Sequence, residues 1–127
     1  QQYADKFRTK IVSLDDLIGS LSGGNQQKVV ISRALSTRPK VVILDEPTRG
    51  IDAAARSDVY GIIRQLKEEG VAVLMVSSDI EEVVELADRA ITIFQGRING
   101  EFSHDEISQD ALTSASFGIG HERVVAK

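Results

Sequence analysis

Three short apolar runs punctuate the chain, at 41–44, 71–76 and 90–94, each rich in β-branched residues. Continuous apolar runs of this length predict strands covered on both faces, the usual situation in a parallel sheet. Residues 97–102 predict a further strand, joined to the third through the tight Gln95-Gly96 turn. Between the first two runs the period changes. Val59, Ile62, Ile63 and Leu66 recur at i, i+3, i+4 and i+7 and predict a helix over 53–69. Asp52 stands where it can cap the start of that helix and Gly70 where it can end it. A shorter helix over 80–87 joins the second and third strands. A helix over 24–36 puts Val30, Ile31, Ala34 and Leu35 on one side, and a last helix over 108–117 stops at Gly118. The alternation of strand and helix predicts an α/β fold.

Composition narrows what such a domain can do. The 127 residues suffice for one small domain with its own core, and 42% hydrophobic content argues for a folded chain. Net charge is −4 with no cluster of Lys and Arg, so a nucleic-acid surface is not expected. The absence of cysteine removes disulfide and thiol chemistry, and two distant histidines, His104 and His121, do not make a metal site. The longest wholly apolar run, 71–76, is far short of the ~20 residues of a membrane helix. The start at Gln1, with neither initiator Met nor signal-peptide pattern, reads as a cut inside a longer chain.

Two segments carry chemistry. The first is Leu21-Ser22-Gly23-Gly24-Asn25-Gln26-Gln27-Lys28, a hydroxyl and two glycines at a helix start. Such a start offers backbone N–H groups and the positive end of the helix dipole to a phosphate. By itself it fits equally well a plain Ser N-cap with a glycine-rich entry. The second is Val41-Val42-Ile43-Leu44-Asp45-Glu46-Pro47, an apolar strand that ends in adjacent carboxylates. The first carboxylate can hold Mg²⁺ and the second can orient or deprotonate a water. The carboxyl edge of a parallel strand is also where open α/β sheets bind ligands. Charged residues nearby, Lys28, Arg33, Arg49 and Arg56, are expected to be solvated.

Together these segments resemble the ABC transporter ATPase family, and the resemblance runs along nearly the whole chain. Residues 21–26 are similar to the family's signature motif, Asp45-Glu46 to its Walker B pair, and Gly50-Ile51-Asp52 to its D-loop. Ser78 falls where the family has its switch histidine. The wording Gly-Gly-Asn-Gln-Gln-Lys, Glu-Pro-Thr-Arg-Gly-Ile-Asp and Ser-Ser-Asp is similar to the second cassette of ribose-, galactose-, xylose- and autoinducer-2-type importers. The resemblance implies that Glu46 is the general base and Asp45 the Mg²⁺ residue. It implies further that Ser22, Gly23, Gly24, Gln26, Asp52 and Ser78 serve ATP. The implied partners are a first cassette, membrane permease subunits and, indirectly, a periplasmic sugar-binding protein, at the cytoplasmic face of the inner membrane. Residues 1–36 would close the helical subdomain that carries the signature, and 37–127 would run from Walker B to the C-terminus.

Two departures qualify the expectation. Serine at position 78 is too short to do a switch histidine's work, and with Asp79 ahead of Glu81 and Glu82 it fits a helix cap instead. No Gly-x-x-x-x-Gly-Lys-Ser/Thr occurs anywhere, so the loop that cradles the phosphates is not in these residues. The resemblance then predicts the C-terminal part of a P-loop NTPase core lacking its phosphate-loop strand. In that core 41–44 pairs with 71–76, while 90–102 stands apart as an edge hairpin. A non-catalytic fragment is the alternative reading. Soluble repair-type ATPases of the superfamily are disfavoured because no sustained heptads appear.

Overall fold

The computed structural model describes residues 17–119, which fall into two compact units, one up to Val76 and one from Ser77. In the first, a 3₁₀ turn at Ile18–Ser20 leads into α1 (Gly23–Leu35), followed by β1 (Val41–Asp45), α2 (Ala53–Glu68) and β2 (Ala72–Val76). β1 and β2 pair in parallel, from Val41 opposite Ala72 to Asp45 opposite Val76, with α2 as the crossover.

The caps of α2 explain its length. The Asp52 carboxylate accepts the Ala55 N–H at 2.9 Å, satisfying one of the amides that a helix start leaves open. At the other end Gly70, at φ +79°, takes the left-handed conformation. The Val71 N–H donates to the Leu66 carbonyl and the Gly70 N–H to that of Lys67. This paired closure is the Schellman motif, and glycine adopts its backbone without steric cost.

The predicted stripe of α2 is fully buried: Val59, Ile62, Ile63 and Leu66, together with Val42 and Leu44 of β1 and Ile31 and Leu35 of α1. The stripe predicted for α1 is corrected. Val30 and Ala34 are exposed, and the buried positions are Gly24, Lys28, Ile31 and Leu35. The expectation that the strands are covered on both faces is also corrected. Val41 (58% exposed), Ile43 (68%), Leu74 (53%) and Val76 (52%) share a sheet face that no described element covers. Apolar runs and an alternating pattern differ only when both faces are packed, and here one face is bare.

The second unit contains α3 (Ile80–Leu86), β3 (Arg89–Phe94), β4 (Arg97–Ser103) and α4 (Gln109–Ser116). β3 and β4 form an antiparallel hairpin, turning through Gln95 and Gly96, both at positive φ, as a two-residue primed turn requires. The register slips between Thr92 and Ile93, leaving Asn99 as the extra residue of a bulge. The Asn99 amide donates to the Ala115 carbonyl at 2.7 Å, which ties the bulge to α4. Ala90, Phe102, Leu112 and Ala115 form the core of this unit, flanked by Ile80, Val83, Ile107 and Ala111. Among the described residues the parallel pair and the hairpin are separate two-stranded sheets, as expected for a core without the strand between them.

Candidate functional site

Ser22 occupies the N-cap position of α1 with extended backbone, yet its hydroxyl caps no amide of the first turn. It accepts instead from the Asn25 side-chain amide at 3.1 Å, while the Gln26 side chain donates to the Leu21 carbonyl at 2.8 Å. The plain N-cap reading of this segment is therefore not what the structure holds. An exposed hydroxyl stands at a helix start without capping a backbone amide of that helix, where the dipole favours an anion.

The following glycines set how this turn is seated. A Cβ on Gly24 would lie 2.3 Å from the Ala55 Cβ, an overlap no larger residue avoids. Gly24 thus allows the first turn of α1 to lie directly on the first turn of α2. A Cβ on Gly23 would be in ordinary contact, 3.7 Å from Ile51 Cγ2 and 4.0 Å from the Gly50 carbonyl. The signature-like turn and residues 50–55 are thereby packed together within one unit.

Asp45 ends β1 and is exposed. The Glu46 N–H donates to the Val76 carbonyl at 2.8 Å, continuing the pairing one residue beyond the strand. Glu46 itself has φ +48°, in the left-handed region that a non-glycine residue seldom enters. The chain then turns sharply through buried Pro47 and Thr48, with the Arg49 N–H on the Glu46 carbonyl. Among the described residues no cluster of three or more His, Cys, Asp or Glu is arranged to hold a metal. One or two carboxylates with open positions for water and phosphate nevertheless fit Mg²⁺, which keeps several waters when bound. Asp52 is partly committed, since one carboxylate oxygen caps α2.

Ser78 lies in the second unit and is exposed. Of the two residues expected to cap the following helix, Asp79 is the N-cap. The Asp79 carboxylate accepts from the Glu81 and Glu82 amides at 3.0 and 3.3 Å. The Ser77 hydroxyl accepts the Asp79 N–H at 3.0 Å and donates to Glu82 at 2.6 Å, a carboxylate only 1% exposed.

Among the basic residues, Arg33 and Arg49 are exposed as expected, but Arg56 is partly buried and Lys28 is 4% exposed. The Lys28 ammonium donates to Asp58 Oδ2 at 2.5 Å. The sequence carried one hint of this. Lys28 is four residues after Gly24 and three before Ile31, on the true inner stripe of α1, but the partner is thirty residues away.

Known proteins resemble this chain in sequence and in fold. The ABC transporter family profile matches residues 2–49. The chain is 46% identical over 116 residues to the xylose import ATP-binding protein XylG of Moorella thermoacetica, which covers 91% of this chain and 23% of that protein. The ATP-binding cassette MJ1267 of an ABC transporter superposes with a TM-score of 0.77 at 27% identity, over 90% of this chain and 47% of the other. The cassette MJ0796, solved as a dimer in a post-hydrolysis state with ADP and Pi, gives 0.71 at 26% identity, over 81% and 44%. The chain therefore spans about a quarter of its curated relative and under half of these solved cassettes. On the signature-like turn, the paired carboxylates and these matches, the chain belongs to the ABC transporter family of ATP-binding domains.

Proposed function

We propose that this chain supplies the signature, Walker B and D-loop portion of an ATPase that powers carbohydrate import. The observation that carries the reading is the seating of the Ser22–Gly24 turn on residues 50–55, in the unit whose first strand ends at Asp45 and is followed by Glu46. The sugar-import assignment is supported by the likeness to a protein named for xylose import. In this reading Glu46 is general base, a role worth about 10²–10⁴ in rate. Asp45 holds Mg²⁺, which when bound supplies charge neutralisation at the phosphates. Ser22, Gly23, Gly24 and Gln26 bind the γ-phosphate of ATP held by a partner cassette, and Asp52 and Ser78 are further ATP-binding residues. The partner cassette and permease subunits, and indirectly a periplasmic sugar-binding protein, complete the importer, with this chain at the cytoplasmic face of the inner membrane.

Because position 78 is Ser, the site served by Glu46 is the weaker of the two. Steady-state ATPase rates of the full-length ATPase check this: Glu46→Gln costs less than the corresponding change in the partner cassette. An equal or larger loss contradicts it.

One observation favours a second reading, in which these 127 residues alone are non-catalytic: they contain no phosphate-cradling Gly-Lys-Ser/Thr loop. Calorimetry of the isolated chain with Mg-ATP is expected to show no saturable binding, and tight saturable binding overturns that expectation.

A further inference from the structure

The least expected contact in the first unit is the Lys28–Asp58 ion pair. Lys28 is on the inner stripe of α1, its side chain 5% exposed, while the Asp58 side chain on α2 is 52% exposed. An ammonium taken from water needs a compensating charge, and Asp58 supplies it at 2.5 Å. With Asp58 half-exposed the pair is open to water on one side, and such pairs add little net stability. Stability alone therefore gives no reason for a lysine here.

Geometry gives one. Lys28 is one helical turn after Gly24, and Asp58 is about one turn after Ala55. Gly24 already meets Ala55, with no room for a Cβ. The ion pair is thus a second contact between the same helix faces, one turn further along both. A single close contact lets two helices pivot about it. A second, directional contact one turn away removes the pivot.

We propose that Lys28 and Asp58 are a positioning pair, which locks the signature turn to the D-loop helix so that the two interface segments of this chain move as one body. The proposal rests on the functional reading above and adds a role for two residues that touch no substrate. Ser22 must reach a γ-phosphate on another cassette while Asp52 meets that same cassette. If α1 could roll on α2, one segment would arrive without the other. Misplacement of about 1 Å at a reacting centre can lower turnover by as much as about a hundredfold.

The test uses the full-length ATPase and the double variant Lys28→Met/Asp58→Asn, which removes both charges at nearly unchanged volume. The expected result is a near wild-type melting temperature with kcat for ATP hydrolysis down about ten- to a hundredfold. ADP affinity stays unchanged, because ADP has no γ-phosphate for the signature to meet. Lys28→Arg, which keeps the charge, restores most of the turnover. If the double variant unfolds, Asp58→Asn, isosteric at a half-exposed position, replaces it with the same expectation. Wild-type kcat in the folded pair variant, or a parallel loss of ADP affinity, overturns the positioning role. Ser22→Arg is the control. If Ser22→Arg leaves turnover intact, the functional reading itself fails. If Ser22→Arg is inactive and the pair variant is fully active, only the positioning role fails.

Discussion

The starts of α1 and α3 use similar residues for opposite ends. At α3 the local side chains are spent on the helix: Asp79 takes the Glu81 and Glu82 amides, and Ser77 holds both the Asp79 amide and the buried Glu82 carboxylate. At α1 the Ser22 hydroxyl stands in the capping position and caps nothing, and the glycines that follow seat the turn against α2. A helix start closed by its own side chains has little left for a ligand. One left open by its capping residue is poorer in local stability and richer in binding capacity. The difference between these starts is thus a difference in what each can be asked to do.

The strongest way to break this comparison is Ser22→Arg in the full-length ATPase. A long cation at the open start should lower turnover at least about a hundredfold, as loss of a preorganised donor does elsewhere. Near wild-type rates would show that the open start is not used. Next in size is Gly24→Ala. Its Cβ would meet that of Ala55 at 2.3 Å, so the melting temperature should fall by the equivalent of about 1–3 kcal/mol. Gly24→Ala/Ala55→Gly should recover most of that loss, and failure to recover would show that the seating is not what Gly24 serves.

The smallest effects sharpen the contrast most. Asp79→Ala should cost about 0.5–2 kcal/mol, the usual price of a lost cap. Ser22→Ala, which removes no cap bond, should leave chemical-denaturation midpoints almost unchanged while still lowering ATPase rates. If both alanine variants destabilise equally, the two starts are not built differently.

Much of this arrangement was legible in the sequence, and the remainder fails for identifiable reasons. The pairing of β1 with β2 came from the family resemblance, while the elements and the Asp52 and Gly70 ends of α2 follow from period and cap residues. These signals lie within a few residues of what they specify. The inner stripe of α1 was misread because a glycine and a lysine form part of it, and hydrophobicity cannot mark either. The burial of Lys28 depends on Asp58, whose approach is decided by how two helices cross. At α3 the sequence pointed to a cap by Ser78 with Asp79 but not to the part played by Ser77, which turns on the geometry of single bonds. The bare face of Val41, Ile43, Leu74 and Val76 escaped notice because an apolar run says nothing about what packs on it.

The backbone at Glu46 has a consequence for anyone who would engineer this domain. A left-handed conformation costs a non-glycine residue on the order of 1–2 kcal/mol, a cost glycine does not bear. Any search that ranks substitutions by folding stability would therefore favour glycine at this position and score the result as an improvement. The same change would delete the carboxylate proposed as general base, one residue beyond β1. Position 46 is a place where optimising the fold and preserving the chemistry pull in opposite directions, and a stabilised variant should hold it fixed.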